Sequence, residues 1–396
     1  MRIKLTGILL LHFFLVLSIS SCTNTSSDSN NQLTANGQST AYWQTRELDE
    51  DGSLLILEVA GSYYEIGLKL GEWYRDHGFI AEPFSEEERE EAKSLVAFYE
   101  SVDPRIVDQI RGMYRAFNLD FEAMNEGVLI SDSNDLEILL PGLIDGHSCS
   151  VVFVRPSKTT DGHALFGRNY DFPEEVQNLT LLFTYPDDGY PTAILTPSTP
   201  GLTAADGINS QGLALGFASV ADNGYVSPPG DALISSFAYR YVLEHSANVE
   251  EAVRYLQTIP IRFIPSTPAG VITHVMLADK TGDSAVVEFL PEGVVVSRSE
   301  TLYQVMTNNL WANREERESC WRYCLAVDSL ESAVGSSNIS SLMSLLSELR
   351  GSTQYSVIYD LEDQTLRLSL GSQDYSEEYE FSLADFIHRI SGELES

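Results

Sequence analysis

The sequence predicts an α+β fold: a four-layer α/β/β/α sandwich of two mainly antiparallel sheets, with a helical segment ahead of it. Three observations predict this. After residue 149, short β-rich runs follow one another closely between clusters of Gly, Pro, Asp and Ser, which favours hairpins over βαβ winding. Many of these runs are apolar on both faces, so both sides of each sheet need a covering layer. Helical periodicities interrupt the runs and dominate the chain up to about residue 140, and helices on the outside of two stacked sheets are the simplest cover.

The elements are justified in chain order. Leu54–Val59 is a short apolar strand ending at Gly61, and YYEIGLKLGEWYRDHG after it is an amphipathic helix. Gly67 and Gly71 lie on one face of that helix, where two glycines cost helix propensity, so another element is expected to pack closely there. Ser85 with Glu88 three residues on forms a capping box that opens a second helix. Asp103-Pro104, a cap followed by a first-turn proline, opens a third. Beyond Cys149 the strand candidates are SVVFV, ALFGRNY, LTLLFTY, TAILT, LALGFASV, VITHVML, SAVVEFL, GVVVS and LYQVMT. Helical stretches fall at ALISSFAYRYVLEHS, NVEEAVRYLQ, ERESCWRYCLAVDSL and ISSLMSLLSELR. The sequence has no internal repeat, P-loop or dinucleotide fingerprint, and no cofactor is expected.

The start of the chain bears on its compartment. Arg2 and Lys4 precede an apolar stretch from Leu5 to Ile19, too short for a comfortable membrane span. Small residues then lead into Cys22, in the manner of a lipoprotein signal whose cysteine is lipidated. The expected organisation is a signal peptide over 1–21, a lipidated Cys22 and flexible tether over 22–45, a helical pro-segment over 46–148 and a catalytic core over 149–396. The only membrane association expected is this anchor, facing the periplasm or the cell exterior.

A formal charge of −34 argues against nucleic acid or anionic headgroups as partners, since both would be repelled. Four cysteines do not make a disulfide framework. With Cys22 set aside, Cys149 has no near neighbour, while Cys320 and Cys324 lie four apart in a helical pattern where a bridge is awkward.

Cys149 stands directly before SVVFV, and the second strand of that pair ends in an Arg-Asn-Tyr-Asp cluster. A cysteine nucleophile needs a base and a neighbour that favours the thiolate. His147 shares its short segment and is badly placed to serve as base across a cleft, and His147, Cys149 and His163 lack metal-ligand spacing. If the bond before Cys149 is cut, the new α-amine, with a reference pKa of about 7.7 to 8.0, supplies the base on the nucleophile itself. Taken singly, the residues also fit blander roles: a buried packing cysteine, an Arg–Asp ion pair, and a turn at Asn308-Asn309.

Their order along the chain resembles the N-terminal-nucleophile amide hydrolases of the choloylglycine hydrolase and penicillin V acylase type. The resemblance is closer to their autoproteolytic relatives, the isopenicillin-N acyltransferase-like proteins, and more distant to acid ceramidase. GSYYEIGLKLG resembles the glycine-rich segment of the acyltransferase-like precursors. CSVVFVRPSKTTDGHALFGRNYDF resembles the nucleophile strand, an Asp161-Gly162 turn and a second strand ending in Gly-Arg-Asn-x-Asp. GINSQGLALGFAS resembles the family's Asn-Glu-x-Gly-Leu strand with Ser210-Gln211 in place of Glu-x, Thr307-Asn308 its Thr-Asn step, SCWRY its Ser-x-x-Arg-Tyr helix, and YSVIYDLEDQTLRLSLG its late hairpin.

The resemblance implies Cys149 as nucleophile with its freed amine as base, Arg168 steadying the thiolate, and Asp171 holding the amine. It further implies Asn308 as the oxyanion donor, Arg322 supporting the site from a helix, and Ser219 and Asn309 as oxyanion or substrate groups. Cleavage would fall at Ser148-Cys149, where Ser148 replaces the family's common glycine. Arg168 and Asp171 are three apart, so on a regular strand they point to opposite faces and converge only if the backbone bends. The expected protein is a cysteine amidohydrolase acting on a linear, non-peptide amide of a small N-acyl compound: an N-acyl amino acid, acyl-homoserine lactone, penicillin or bile-acid conjugate. Acyl transfer on the same site, a phospholipase or ceramidase, and a non-catalytic binding lipoprotein are the alternatives. Phe172, Tyr190 and Trp311 are candidates for the pocket lining.

Overall fold

Where strands are apolar on both faces, each face must find its own layer, and the architecture follows from that requirement. The computed structural model describes residues 41–48, 54–127, 149–172, 179–197, 200–201, 203–221, 223–226, 231–263, 271–333, 335, 337–371 and 377–394. All of them fall in one compact unit, Ser39–Ser396.

The strands are β1 (Tyr42–Glu47), β2 (Leu54–Gly61), β3 (Glu82–Pro83), β4 (Glu126–Gly127), β5 (Ser150–Val154), β6 (Leu165–Asp171), β7 (Leu179–Pro186), β8 (Thr192–Thr196), β9 (Asp206–Asn209) and β10 (Leu213–Ala221). There follow β11 (Leu233–Ile234), β12 (Ile261–Arg262), β13 (Val271–Asp279), β14 (Ser284–Leu290), β15 (Gly293–Ser297), β16 (Tyr303–Met306), β17 (Thr353–Asp360), β18 (Thr365–Leu370) and β19 (Glu378–Ser382). The helices among the described residues are α1 (Tyr63–Asp76), α2 (Glu86–Val102), α3 (Pro104–Ala116), α4 (Ser235–His245), α5 (Val249–Thr258), α6 (Arg314–Ser319), α7 (Trp321–Ser332), α8 (Ile339–Glu348) and α9 (Leu383–Leu394).

A nine-stranded sheet runs β1-β2-β7-β8-β9-β10-β13-β14-β15, and a six-stranded sheet runs β16-β5-β6-β17-β18-β19. All pairings in these two sheets are antiparallel except β2 with β7. Period-two alternation sorts each strand between layers. On β5, Val151 and Phe153 face the core between the sheets, where they join Leu181, Ala193, Ala214 and Met276 of the larger sheet. Val152 and Val154 face outward, onto Ala326 and Leu330 of α7 and Leu342 and Leu346 of α8. The outer face of the larger sheet meets α2 to α5, with Leu215, Leu277 and Val287 against Val107, Tyr239, Val242 and Leu256. The four-layer α/β/β/α order is therefore the one expected.

The glycine pair of α1 has a definite partner. A Cβ on Gly67 would lie 2.0 Å from the carbonyl oxygen of Gln109, and one on Gly112 of α3 would lie 2.0 Å from that of Tyr64. The two helices therefore touch backbone to backbone.

Two expectations need correction. The tether does not reach residue 45, because Tyr42–Glu47 pairs with β2 from Tyr42↔Ala60 to Glu47↔Leu55. This edge strand is largely exposed and lacks apolar alternation, so nothing local marks it. The strand expected at Leu54–Val59 is β2, which pairs in parallel with β7 along its whole length and lies inside the larger sheet. The single helix expected over ERESCWRYCLAVDSL is two, α6 and α7, broken at Cys320, which is extended at φ −79° and ψ 117°. Cys149, Cys320 and Cys324 are all free thiols. Residues 1–21, Cys22, His147 and Ser148 lie outside the described residues.

Candidate active site

Cys149 is the residue before β5, and β6 pairs alongside with Ser150↔Asn169 and Val151↔Arg168 in register. This places the Arg168 guanidinium beside the sulfur, with Nη2 3.9 Å from Sγ. The thiol is 3% exposed, and its S–H donates to the backbone carbonyl of Asp171 at 3.8 Å. Burial pushes this thiol up from the ordinary cysteine range; Arg168 opposes the shift and Asp171 adds to it.

Arg168 is completely buried. Nη1 donates to the Ala205 carbonyl at 2.6 Å and forms a short ion pair with Asp206. The guanidinium lies over the rings of Tyr170 and Phe217, at 4.8 and 5.0 Å from their centroids. Asp206 in turn accepts hydrogen bonds from the hydroxyls of Tyr355 and Tyr359, each at 2.5 Å. A charged side chain with no access to water is tolerated only with such pairing, and here the pairing also fixes where the cation sits relative to the sulfur.

The geometric problem of Arg168 and Asp171 is answered opposite them. β17 pairs Tyr355↔Tyr170 and Thr353↔Asp171, so Gln354 is an extra residue and the register shifts there. A bulge of this kind bends the strand and re-aims the side chains next to it. Asn169 faces the helical layer, donating to the Leu346 carbonyl at 2.8 Å. Asp171 is 1% exposed; its Oδ1 accepts a short hydrogen bond from the Thr353 hydroxyl, while Oδ2 is buried and has no hydrogen-bond partner. Burial pushes the carboxyl up to about 6 despite the opposing influence of Thr353, Arg322 and Arg168.

Arg322 reaches the same point from α7. Its Nη1 donates to the Cys149 carbonyl at 2.6 Å and to Ser150 Oγ at 3.0 Å, and its Nη2 donates to Asn308 Oδ1 at 3.1 Å. Asn308 Nδ2 donates to the Ser219 carbonyl at 2.8 Å. A donor on the oxygen and an acceptor on the nitrogen fix which way the amide points. One amide N–H remains for a further acceptor.

Of the expected residues, Cys149, Arg168, Asp171, Asn308 and Arg322 thus form one connected cluster. Ser219 joins it through its backbone carbonyl. Asn309 makes none of these contacts. Phe172 stacks on Tyr170 at 6.1 Å and Trp311 follows Asn308 in its loop, whereas the backbone N–H of Tyr190 bonds to Glu244 at 2.8 Å and Tyr190 takes no part in the cluster. The donor atoms of Asp161, His163 and Asp360 converge within 4.8 Å elsewhere. There the hydrogen bond to Asp360 raises the His163 pKa.

Sequence reasoning missed Asp206, Tyr355, Tyr359 and Thr353. A signal existed for the two tyrosines, which stand four apart on one face of β17.

The sequence model for acyl-coenzyme A:6-aminopenicillanic acid acyl-transferase matches residues 157–375, more than half of the chain. The chain belongs to this acyl-transferase family. The matched span includes Arg168, Asp171, Asn308 and Arg322 and begins after Cys149. A penicillin V acylase from Pectobacterium atrosepticum is 32% identical over 117 residues, which make up 27% of this chain and 30% of that protein. The match therefore spans less than a third of that relative. Among solved structures, penicillin V acylase from Agrobacterium tumefaciens is 20% identical, with 56% of this chain and 82% of that one covered at a TM-score of 0.43. A mutant of conjugated bile acid hydrolase from Clostridium perfringens is 18% identical, with 60% and 93% covered at a TM-score of 0.45. Membership rests on the sequence match.

Proposed function

We propose that the chain is the precursor of a cysteine amidohydrolase, activated by cutting itself at Ser148-Cys149 and acting on linear amides of small N-acyl compounds. The observation that carries this reading is the position of Cys149 directly ahead of β5, with Arg168 Nη2 3.9 Å from its sulfur and Arg322 on its carbonyl. A nucleophile that starts a strand can present a free α-amine beside its own thiol, and no histidine is then required.

In the cutting step the thiol attacks the Ser148 carbonyl, the acyl group passes from nitrogen to sulfur, and water hydrolyses the thioester. The products are a carboxylate on Ser148 and a free amine and thiol on Cys149. In turnover the amine takes the thiol proton and the thiolate adds to the substrate carbonyl. The oxyanion is met by the unused amide N–H of Asn308, whose orientation Arg322 and Ser219 hold. Collapse expels the substrate amine with the proton returned by the α-ammonium; water, deprotonated by the α-amine, then releases the acid and restores the thiol. The ammonium form of the amine would give Asp171 Oδ2 the partner it lacks.

Membership of the acyl-transferase family supports a second outcome, transfer of the acyl group from sulfur to an amine in place of water. We further propose that the signal and Cys22 make the protein an exported, lipid-anchored enzyme; coenzyme A is scarce there, which favours hydrolysis. No helix among the described residues is long and apolar enough to cross a membrane.

Intact mass of the purified full chain tests the proposal. Two chains meeting at Ser148-Cys149, replaced by a single chain in Cys149→Ala, are expected. A wild-type chain that stays whole and resists acylation by p-nitrophenyl acetate would instead mark a binding protein. A panel of N-acyl amino acids, acyl-homoserine lactones, penicillin V and bile-acid conjugates, run with and without hydroxylamine as acceptor, names the acyl group and separates hydrolysis from transfer. Loss of palmitate labelling in Cys22→Ala tests the anchor.

A further inference from the structure

The loop that carries Asn308 is gripped by a histidine–glutamate pair that the mechanism above does not use. His274 on β13 and Glu288 on β14 are 1% and 0% exposed, and they bond to each other through Nδ1 and Oε1 at 3.1 Å. The other ring nitrogen of His274, Nε2, lies 2.7 Å from the carbonyl oxygen of Thr307, the residue before Asn308. Glu288 accepts the backbone N–H of Trp311 on Oε1 at 2.6 Å and that of Ala312 on Oε2 at 2.8 Å. Both ends of the segment from Thr307 to Ala312 are therefore tied to one pair of side chains. Because Ser219 of β10 holds the Asn308 amide, three adjacent strands of the larger sheet fix a loop that leaves the smaller one after β16.

The hydrogen-bond count adds a constraint. A carboxylate and a carbonyl only accept, so His274 makes both bonds only as the doubly protonated imidazolium, and a neutral ring would release either Glu288 or Thr307. Burial pushes the Glu288 carboxyl up, but His274 and the two loop N–H groups outweigh it and hold it below the usual range. A buried ionisable pair is costly to desolvate and adds little stability of its own, so its use here lies in what it holds.

We infer that His274 and Glu288 are positioning residues that set the Asn308 amide for the oxyanion. This rests on the proposed role of Asn308. The acylation rate constant of the cleaved enzyme with p-nitrophenyl acetate, referred to the cleaved fraction measured by mass, tests it. Asn308→Ala is expected to slow acylation about 100-fold. His274→Gln and Glu288→Gln are each expected to slow it about tenfold or more, with half-saturation little changed. Combined with Asn308→Ala, neither should slow it further, because both act through the same amide. A full additional loss in the double variants, or no loss in the single ones, overturns the inference. No loss in Asn308→Ala overturns the role of Asn308 and the inference with it, and is a distinguishable result.

Discussion

Arg322 donates to the carbonyl oxygen of Cys149 at 2.6 Å across 173 residues of chain. The same guanidinium holds the Asn308 amide through Nη2, so one side chain sets both the residue that would attack and the group that would receive the developing charge. Arg322→Lys keeps the charge but not the planar fork. It is expected to lower kcat by about 10- to 100-fold with KM changed little, measured on the cleaved fraction.

Asp171 gives a pH dependence with a definite sign. Its folded-state pKa of about 6 lies above the ordinary aspartate value, with burial the main cause. The folded precursor therefore holds this proton more tightly than the unfolded chain. The stability contributed is full below the unfolded value of about 3.9 and is lost as pH rises through about 6. Asp171→Asn keeps the acceptor for Thr353 and removes the unpaired charge. In a Cys149→Ala background, which keeps the chain whole, urea unfolding should show it stabilised by about 2 to 3 kcal/mol at pH 8, with most of the gain gone at pH 4. In the Cys149-containing enzyme the same change should abolish turnover.

Asp206 is the buried counter-charge of Arg168. Asp206→Asn leaves a guanidinium in the core with two tyrosine hydroxyls and a carbonyl but no anion. Breaking such a pair costs about 3 to 5 kcal/mol, so the urea midpoint should fall by that equivalent, and the thiol should alkylate at a different rate because Arg168 is no longer anchored.

The contact between α1 and α3 leaves no room for a side chain. Gly67→Ala would place a methyl carbon 2.0 Å from the Gln109 carbonyl oxygen, and separating the helices should cost about 1 to 3 kcal/mol or more. Thermal unfolding measures this. Ala at Gly78, where a Cβ meets nothing within 4 Å but the backbone is at φ +87°, separates the effect of strain from that of crowding.

Much of the fold was readable because its signals are local. The capping box at Ser85 and the Asp103 cap mark helix starts within four residues, and SVVFV, TAILT and SAVVEFL are β-branched runs whose burial on both faces shows in composition alone. Gly67 and Gly71 announced a close contact but not its partner, since α3 lies beyond another helix in the chain. Strand β1 and the break at Cys320 left no local trace: an exposed edge strand is defined by the neighbour it pairs with, and the break lies within an unbroken helical pattern.

The site divides along the same line. Cys149 at the head of a strand, with Arg168 and Asp171 in the next, was legible because hairpin neighbours are close in sequence as well as in space. Asn308 and Arg322 were legible only through their order along the chain and the resemblance it carries. The bulge opposite Asp171, the Asp206–tyrosine support beneath Arg168 and the His274–Glu288 grip on the Asn308 loop were settled by the tertiary structure alone. Each depends on a partner brought from a distant strand, and in a buried site the surrounding partners decide whether a charge is tolerated and where a donor points.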